Sequence, residues 1–254
     1  MIIPFDKVYV LTMPNSKLRQ EFINYQFKQI GVDFEFVYGI DFGNIINDAL
    51  GNEIIYPNIY DSKTYYESLG RDFSCAVNHY SAIYRAFEFE FNSVLVVEDD
   101  ICFIKDLNRL RESFENIPKD ADFVTWDPRF WWDYDFAEFK NCLHNSQYFI
   151  KDTGQFRWTF GGMCYGIMNR QSMELYLKNQ RSSFHMSDHV EGFFHHSSVN
   201  KYMSSICICT DQFNLKHNFD IKPIVKNWRG YTCNYENIVK DDFYTMKEYD
   251  EFVR

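Results

Sequence analysis

The stretch Ser93-Val94-Leu95-Val96-Val97-Glu98-Asp99-Asp100 decides how the chain is read. Val94 to Val97 form an unbroken apolar run, mostly β-branched, which predicts a strand buried on both faces. Three carboxylates follow at once. In an open α/β sheet, ligands bind in the crevice beyond the carboxyl ends of the strands. The acids therefore fall where such a sheet keeps its chemistry. On an extended backbone Glu98 and Asp100 point to one side and Asp99 to the other. Adjacent carboxylates repel unless solvent or a cation compensates, and hard divalent cations such as Mn²⁺ or Mg²⁺ take oxygen ligands of this kind. A solvated acidic turn after an ordinary strand has the same sequence, so the surroundings must decide between the two.

Toward the N-terminus, Leu69 to His79 runs into a helix whose Ala76, Tyr80, Ile83, Tyr84 and Phe87 share a face. Further back, Lys7 to Thr12 reads as a strand and Pro14-Asn15-Ser16 as a turn able to cap a helix. Leu18, Phe22 and Tyr25 recur at helical spacing over Lys17 to Ile30, and Gly31 suits the C′ position. Asp33 to Tyr38 reads as a second strand, which makes a βαβ unit with parallel strands. It contains neither G-x-G-x-x-G nor G-x-x-x-x-G-K-[ST], so a dinucleotide fingerprint and a P-loop are both excluded. Phe42 to Thr64 is irregular, and its length suits a functional loop.

Toward the C-terminus, Leu107, Leu110, Phe114 and Ile117 mark an amphipathic helix, and Asp122 to Asp127 a strand ending in an acid. Phe130 to Phe136 is aromatic and acidic, which fits an acceptor-binding lid or a satellite hydrophobic cluster. Thr159 to Met168 reads as a glycine-containing strand where backbone can approach a ligand closely. Asn169 can cap the helix over Arg170 to Asn179. Asp188, with Glu191 three residues on, has the form of a capping box. Ser204 to Thr210 reads as a strand. Asn234 to Arg254 carries no motif.

The chain has 254 residues, 46% hydrophobic and 19% aromatic, enough for a sizeable core. Its net charge of −10 argues against nucleic acid as a partner. The seven cysteines are odd in number and none has C-x-x-C spacing, so they are predicted to be reduced and mostly buried, which places the protein in the cytosol. No signal peptide is read at Met1 to Asp6, and no apolar run is long enough to cross a bilayer.

Taken in order, Asp72-Phe73-Ser74-Cys75-Ala76-Val77-Asn78-His79, Val97-Glu98-Asp99-Asp100, Gly161-Gly162-Met163-Cys164-Tyr165-Gly166-Ile167 and Asp188 resemble the pattern of the family 25 glycosyltransferases, the lipopolysaccharide-type and collagen-type sugar transferases. The resemblance covers roughly residues 5 to 190. Ser74 stands where the family has a glycine and Asn78 where it has a serine. Met13 and Pro14 stand where it often has basic residues, which leaves Lys17 and Arg19 as the nearest cations.

The resemblance implies a GT-A fold, a Rossmann-like mixed and mostly parallel α/β sheet flanked by helices. It implies a nucleotide-sugar donor, taken as a UDP-hexose (galactose or glucose), a D-x-D-type acidic motif with Mn²⁺ or Mg²⁺, and inversion at the anomeric carbon. On that footing Asp188 is the candidate base for the acceptor hydroxyl. Asp100 is the first metal ligand, supported by Glu98, with His217 completing the shell. Thr12, Arg19, Ser74, His79 and Asp99 are donor-binding candidates, Asp99 facing the ribose. The expected organisation is one domain over 1–254: a nucleotide-sugar half (1–127), an acceptor and catalytic half (128–233) and a tail (234–254). The expected partners are a nucleotide sugar and a glycan or glycolipid acceptor, with peripheral association at the inner membrane face. Two competing readings are a catalytically inactive sugar- or protein-binding homologue and another metal-dependent transferase acting on nucleotides. The intact acidic triplet speaks against the first. Thr12-Met13-Pro14-Asn15, which is no glycine-rich basic loop, speaks against the second.

Overall fold

The computed structural model describes residues 3–40, 62–126, 129–130, 138, 141–142, 148–153, 159–160, 163–182, 199–206, 208–211, 231–232 and 242–245. In β1 (Lys7–Thr12), Val8 and Val10 join one apolar cluster while Tyr9 and Leu11 join another. The strand is therefore buried on both faces, as a central α/β strand must be. α1 (Lys17–Ile30) covers the first face with Phe22, Ile23, Phe27 and Ile30. It ends at Gly31, whose left-handed backbone (φ 70°, ψ 43°) lets its N–H close on Phe27 O. Ser16 occupies the N-cap position but makes no side-chain cap bond; Gln20 Nε2 instead reaches back to Met13 O at 2.7 Å.

β2 (Glu35–Tyr38) follows, then the 27-residue α2 (Ser62–Glu88), which lays Ala82, Ile83 and Ala86 on the second face. Tyr84, read from sequence on the apolar face of this helix, is 40% exposed, because Ala82, Ile83 and Ala86 define the buried stripe. β3 (Val94–Glu98) repeats the alternation of β1, with Leu95 and Val97 toward α1 and Val94 and Val96 toward α2. All four are fully buried, at about 1.5–3 kcal/mol each.

At Asp99-Asp100 the chain turns out of the sheet into β4 (Ile101–Phe103). Gln26 of α1 holds that departure. Its Nε2 donates to Ile101 O and its Oε1 accepts from the Phe103 N–H, at 3.0 and 2.8 Å. α3 (Leu107–Glu115) starts at Asp106, whose carboxylate accepts from the Asn108 and Arg109 N–H groups. β5 (Phe123–Thr125), β6 (Arg129–Phe130), β7 (Phe149–Asp152), β8 (Thr159–Phe160) and β9 (Cys164–Ile167) come next. α4 (Arg170–Ser182) is capped by Asn169, whose Oδ1 accepts from the Ser172 N–H. β10 (Lys201–Ser204), β11 (Cys209–Asp211) and β12 (Tyr231–Thr232) complete the described elements.

The main sheet has seven strands in the order β2-β1-β3-β9-β5-β10-β7. β9 and β7 pair antiparallel with their neighbours, and the other pairs are parallel, so five strands share one direction. The mixed, mostly parallel Rossmann-like sheet is the one anticipated. Helices α1 and α3 lie against one face, α2 and α4 against the other.

Two readings of single strands are corrected. Ser204 to Thr210 is not one strand: β10 belongs to the main sheet and β11 pairs with β4. The Ser204 hydroxyl bonds to both Ile206 O and the Ile206 N–H and closes the turn between them. Thr159 to Met168 likewise divides between β8, in a small sheet with β6 and β12, and β9 in the main sheet. At Gly166 the close approach is to protein rather than to a ligand. A Cβ there would meet the Phe5 ring at 2.5 Å and Val124 at 3.1 Å. None of the five described cysteines (Cys75, Cys102, Cys142, Cys164, Cys209) is in a disulfide.

Candidate functional site

β1 and β3 run parallel side by side, with Leu11 opposite Glu98. Their carboxyl ends open together into a cleft of about 270 Å³ between the start of α1 and the middle of α2. Among the residues lining it are Thr12, Arg19, Ser74, Cys75, Glu98 and Asp99. Four of the five donor-binding candidates thus meet in one cavity. The fifth, His79, lies fully buried just behind it and touches Glu98.

The acidic triplet is shared between two faces by the strand's own alternation. Glu98 follows Val94 and Val96 toward α2, where its Oε1 is 3.0 Å from His79 Nε2. His79 Nδ1 in turn meets the Tyr165 hydroxyl at 2.9 Å, and the two rings stack. Asp99 follows Leu95 and Val97 toward α1. Its Oδ2 accepts from the Thr12 hydroxyl at 2.6 Å and its Oδ1 from Arg19 Nη1 at 3.2 Å. Because the chain turns at once, Asp100 does not continue the extended pattern onto the Glu98 side. Its Oδ2 lies 3.6 Å from the same Arg19 nitrogen.

Burial pushes the Asp99 carboxyl above its ordinary range, against the lowering effects of the Thr12 hydroxyl and Arg19. Burial also works against the Arg19 charge, but Asp100 and Asp99 outweigh it and hold the guanidinium more firmly protonated. Arg19 is half-exposed, so one face of a fixed cation remains toward the cleft. That arrangement suits a phosphate, which pairs well with guanidinium.

Asn78 also lines the cleft, over Gly39 at the end of β2. A Cβ on Gly39 would meet the Asn78 side-chain amide, so a larger residue there would have to displace that amide. Sequence reading gave Asn78 no role beyond a departure from the family pattern, and treated Cys75 only as a buried thiol. The available signal was the spacing Cys75-x-x-x-His79, which puts both side chains on one helical face. Asp188 and His217 lie outside the described residues, as do Asp127, Gly161, Gly162, Glu191 and Trp131 to Phe136.

The sheet is Rossmann-like, and the cleft lies at the carboxyl ends of adjacent parallel strands, where open α/β sheets bind their ligands. Residues 5–174 match the family model described as glycosyltransferase family 25 (LPS biosynthesis protein). The chain belongs to that family, and its class of activity is glycosyl transfer. The matched region includes every cleft residue named above. No curated protein matches the chain. No helix among the described residues is long and apolar enough to cross a membrane.

Proposed function

We propose that this protein is a metal-dependent hexosyltransferase that moves galactose or glucose from a UDP-sugar to a glycan or glycolipid acceptor in surface-polysaccharide synthesis, with inversion. The observation that carries the proposal is the cleft at the ends of β1 and β3, which Thr12, Arg19, Glu98 and Asp99 line and beside which Asp100 pairs with Arg19. The donor set fits a hard divalent cation. Glu98, which lines the cleft, and Asp100, beside Arg19, are partly exposed carboxylates, 22% and 29%, and such cations take oxygen ligands. Asp100 would be the first ligand, Glu98, which turns to the other side of the strand, would support it through water, and His217 would be a further ligand. When bound there, the ion supplies a Lewis acid that offsets charge on the departing diphosphate.

The chain's own residues do the rest. Arg19 draws the diphosphate to the cleft and neutralises part of its charge. Thr12 fixes Asp99 so that its carboxylate meets the donor ribose. Ser74 lines the same cavity from α2, and His79 reaches it through Glu98 from behind. Asp188 takes the proton from the acceptor hydroxyl as the new glycosidic bond forms and the bond to the diphosphate breaks. In this reading 1–127 hold the donor and 128–233 bring the acceptor. The protein works in the cytoplasm, associating peripherally with the inner membrane face where the acceptor is a glycolipid.

The test is titration of UDP-hexoses with and without Mn²⁺. Wild-type protein should bind one donor in a metal-dependent manner, and Asp100→Asn should lose that dependence while keeping its fold. An amide preserves the shape but removes the charge a hard cation requires. Unchanged metal-dependent affinity in the variant overturns the assignment.

A further inference from the structure

Beside the carboxylates, the cleft contains a second set of donor atoms of different chemistry. Cys75 Sγ lies 4.0 Å from Glu98 Oε1, and His79 Nε2 lies 3.0 Å from the same oxygen. All three atoms fall within 4.8 Å of one another. We propose that Cys75, His79 and Glu98 form a binding site for a zinc-class cation, which shares only Glu98 with the hard-cation ligands proposed above.

Cys75 and His79 are one turn apart on α2, so their side chains emerge on the same face. Glu98 reaches them from the end of β3. A thiolate, an imidazole and a carboxylate make a set that favours borderline ions such as Zn²⁺ over Mn²⁺ or Mg²⁺. Three protein ligands leave the fourth tetrahedral position to water or a substrate oxygen. Here that position opens to the cleft, which Cys75 and Glu98 both line.

The imidazole has the outer partner such a ligand uses. Its Nδ1 faces the Tyr165 hydroxyl at 2.9 Å, and stacking on the Tyr165 ring fixes its plane. With the ring proton on Nδ1 donated to the Tyr165 oxygen, Nε2 turns its lone pair to the ion. The Cys75 thiol loses its proton to solvent as the ion binds. Glu98 belongs to both donor sets, so a zinc-class ion here draws it away from the hard cation proposed above. Zn²⁺ then competes with Mn²⁺-dependent donor binding.

Cobalt titration of the intact protein tests the site, since a cysteine thiolate bound to Co²⁺ gives a charge-transfer absorption. One equivalent of Co²⁺ should produce the band, and Zn²⁺ should bleach it. Cys75→Ser should abolish the band, and Glu98→Gln, a second variant with a near-isosteric side chain, should weaken Co²⁺ affinity at least about tenfold. Melting curves check that both variants fold. Absence of the band in the wild type overturns the site, as does a band undiminished in Cys75→Ser, which would place the metal on other cysteines. Neither outcome bears on the Asp100 assignment, which is read separately from Mn²⁺-dependent donor affinity.

Discussion

Asp99 is only 6% exposed, and burial raises its carboxyl pKa although a hydroxyl and a guanidinium hold its two oxygens. A raised folded-state pKa means the folded protein binds this proton more readily than the unfolded chain. Stability from this group is fully present below the unfolded carboxyl pKa and lost as pH rises through the folded one. Ionising Asp99 in the folded protein carries a cost. Asp99→Asn should therefore melt at a higher temperature than wild type at pH 7, with the gap closing as pH falls into the ordinary carboxylate range. The same variant should bind donor more weakly, the usual exchange of stability for function at a site. Thermal melts across pH check this, and a lower melting temperature at pH 7 would count against it. Thr12→Val acts in the opposite direction. It keeps the shape but removes a charge-assisted hydrogen bond, and should destabilise by about 1.5–3 kcal/mol.

The element that makes the site is the bend between β3 and β4. A strand running on in the sheet would send Glu98 and Asp100 to one face, whereas the turn brings Asp100 round to Arg19. Gln26 enforces this by satisfying two backbone groups of β4 from a fully buried position. Gln26→Met should orphan both, at about 1–3 kcal/mol for each group. A chemical denaturation series should show the midpoint falling with an unchanged slope, and an unaltered midpoint would deny the link. In β9, Gly166→Ala must displace the Phe5 ring, itself packed edge-on against Phe114 and Trp126. Overpacking of this kind typically costs about 1–3 kcal/mol. A calorimetric melting temperature lower by several degrees is the expected reading, with no change in donor affinity because Gly166 lies in β9, outside the cleft.

Over the whole molecule, the proposed reaction divides its labour between the donor cleft and the acceptor half. That division predicts the behaviour of Asp188→Asn. Asn caps a helix about as well as Asp, so a purely capping role would leave turnover nearly intact. Loss of the charge at a helix N-terminus costs only about 0.3–1 kcal/mol. Loss of a general base typically lowers the rate about 10²–10⁴-fold. The expected result is a fall in turnover of that size, with near-normal donor affinity and a melting temperature within about 2–4 °C of wild type. Near-normal turnover would move the base to Asp127, Glu191 or an acid of Trp131 to Phe136.

Local pattern alone determined much of this protein. The apolar run Val94 to Val97 specifies a strand buried on both faces, because nothing in it tolerates water. The helical spacing of Phe22 and its neighbours specifies α1, and Gly31 ends it because the left-handed conformation there suits a residue without Cβ. The order of the motifs made the family legible, and Thr12, Arg19, Ser74 and Asp99 could be named before their meeting was visible. Tertiary structure alone decided which atoms face each other. Whether Asp100 follows Glu98 or turns to Arg19 depends on Gln26, 74 positions earlier in the chain. Whether Cys75 is a packing thiol or a neighbour of Glu98 depends on how α2 crosses β3. Where Ser204 to Thr210 breaks depends on which sheet edge each half can pair with. These contacts join residues far apart in sequence, and periodicity, which records only which side of an element is apolar, carries no information about them.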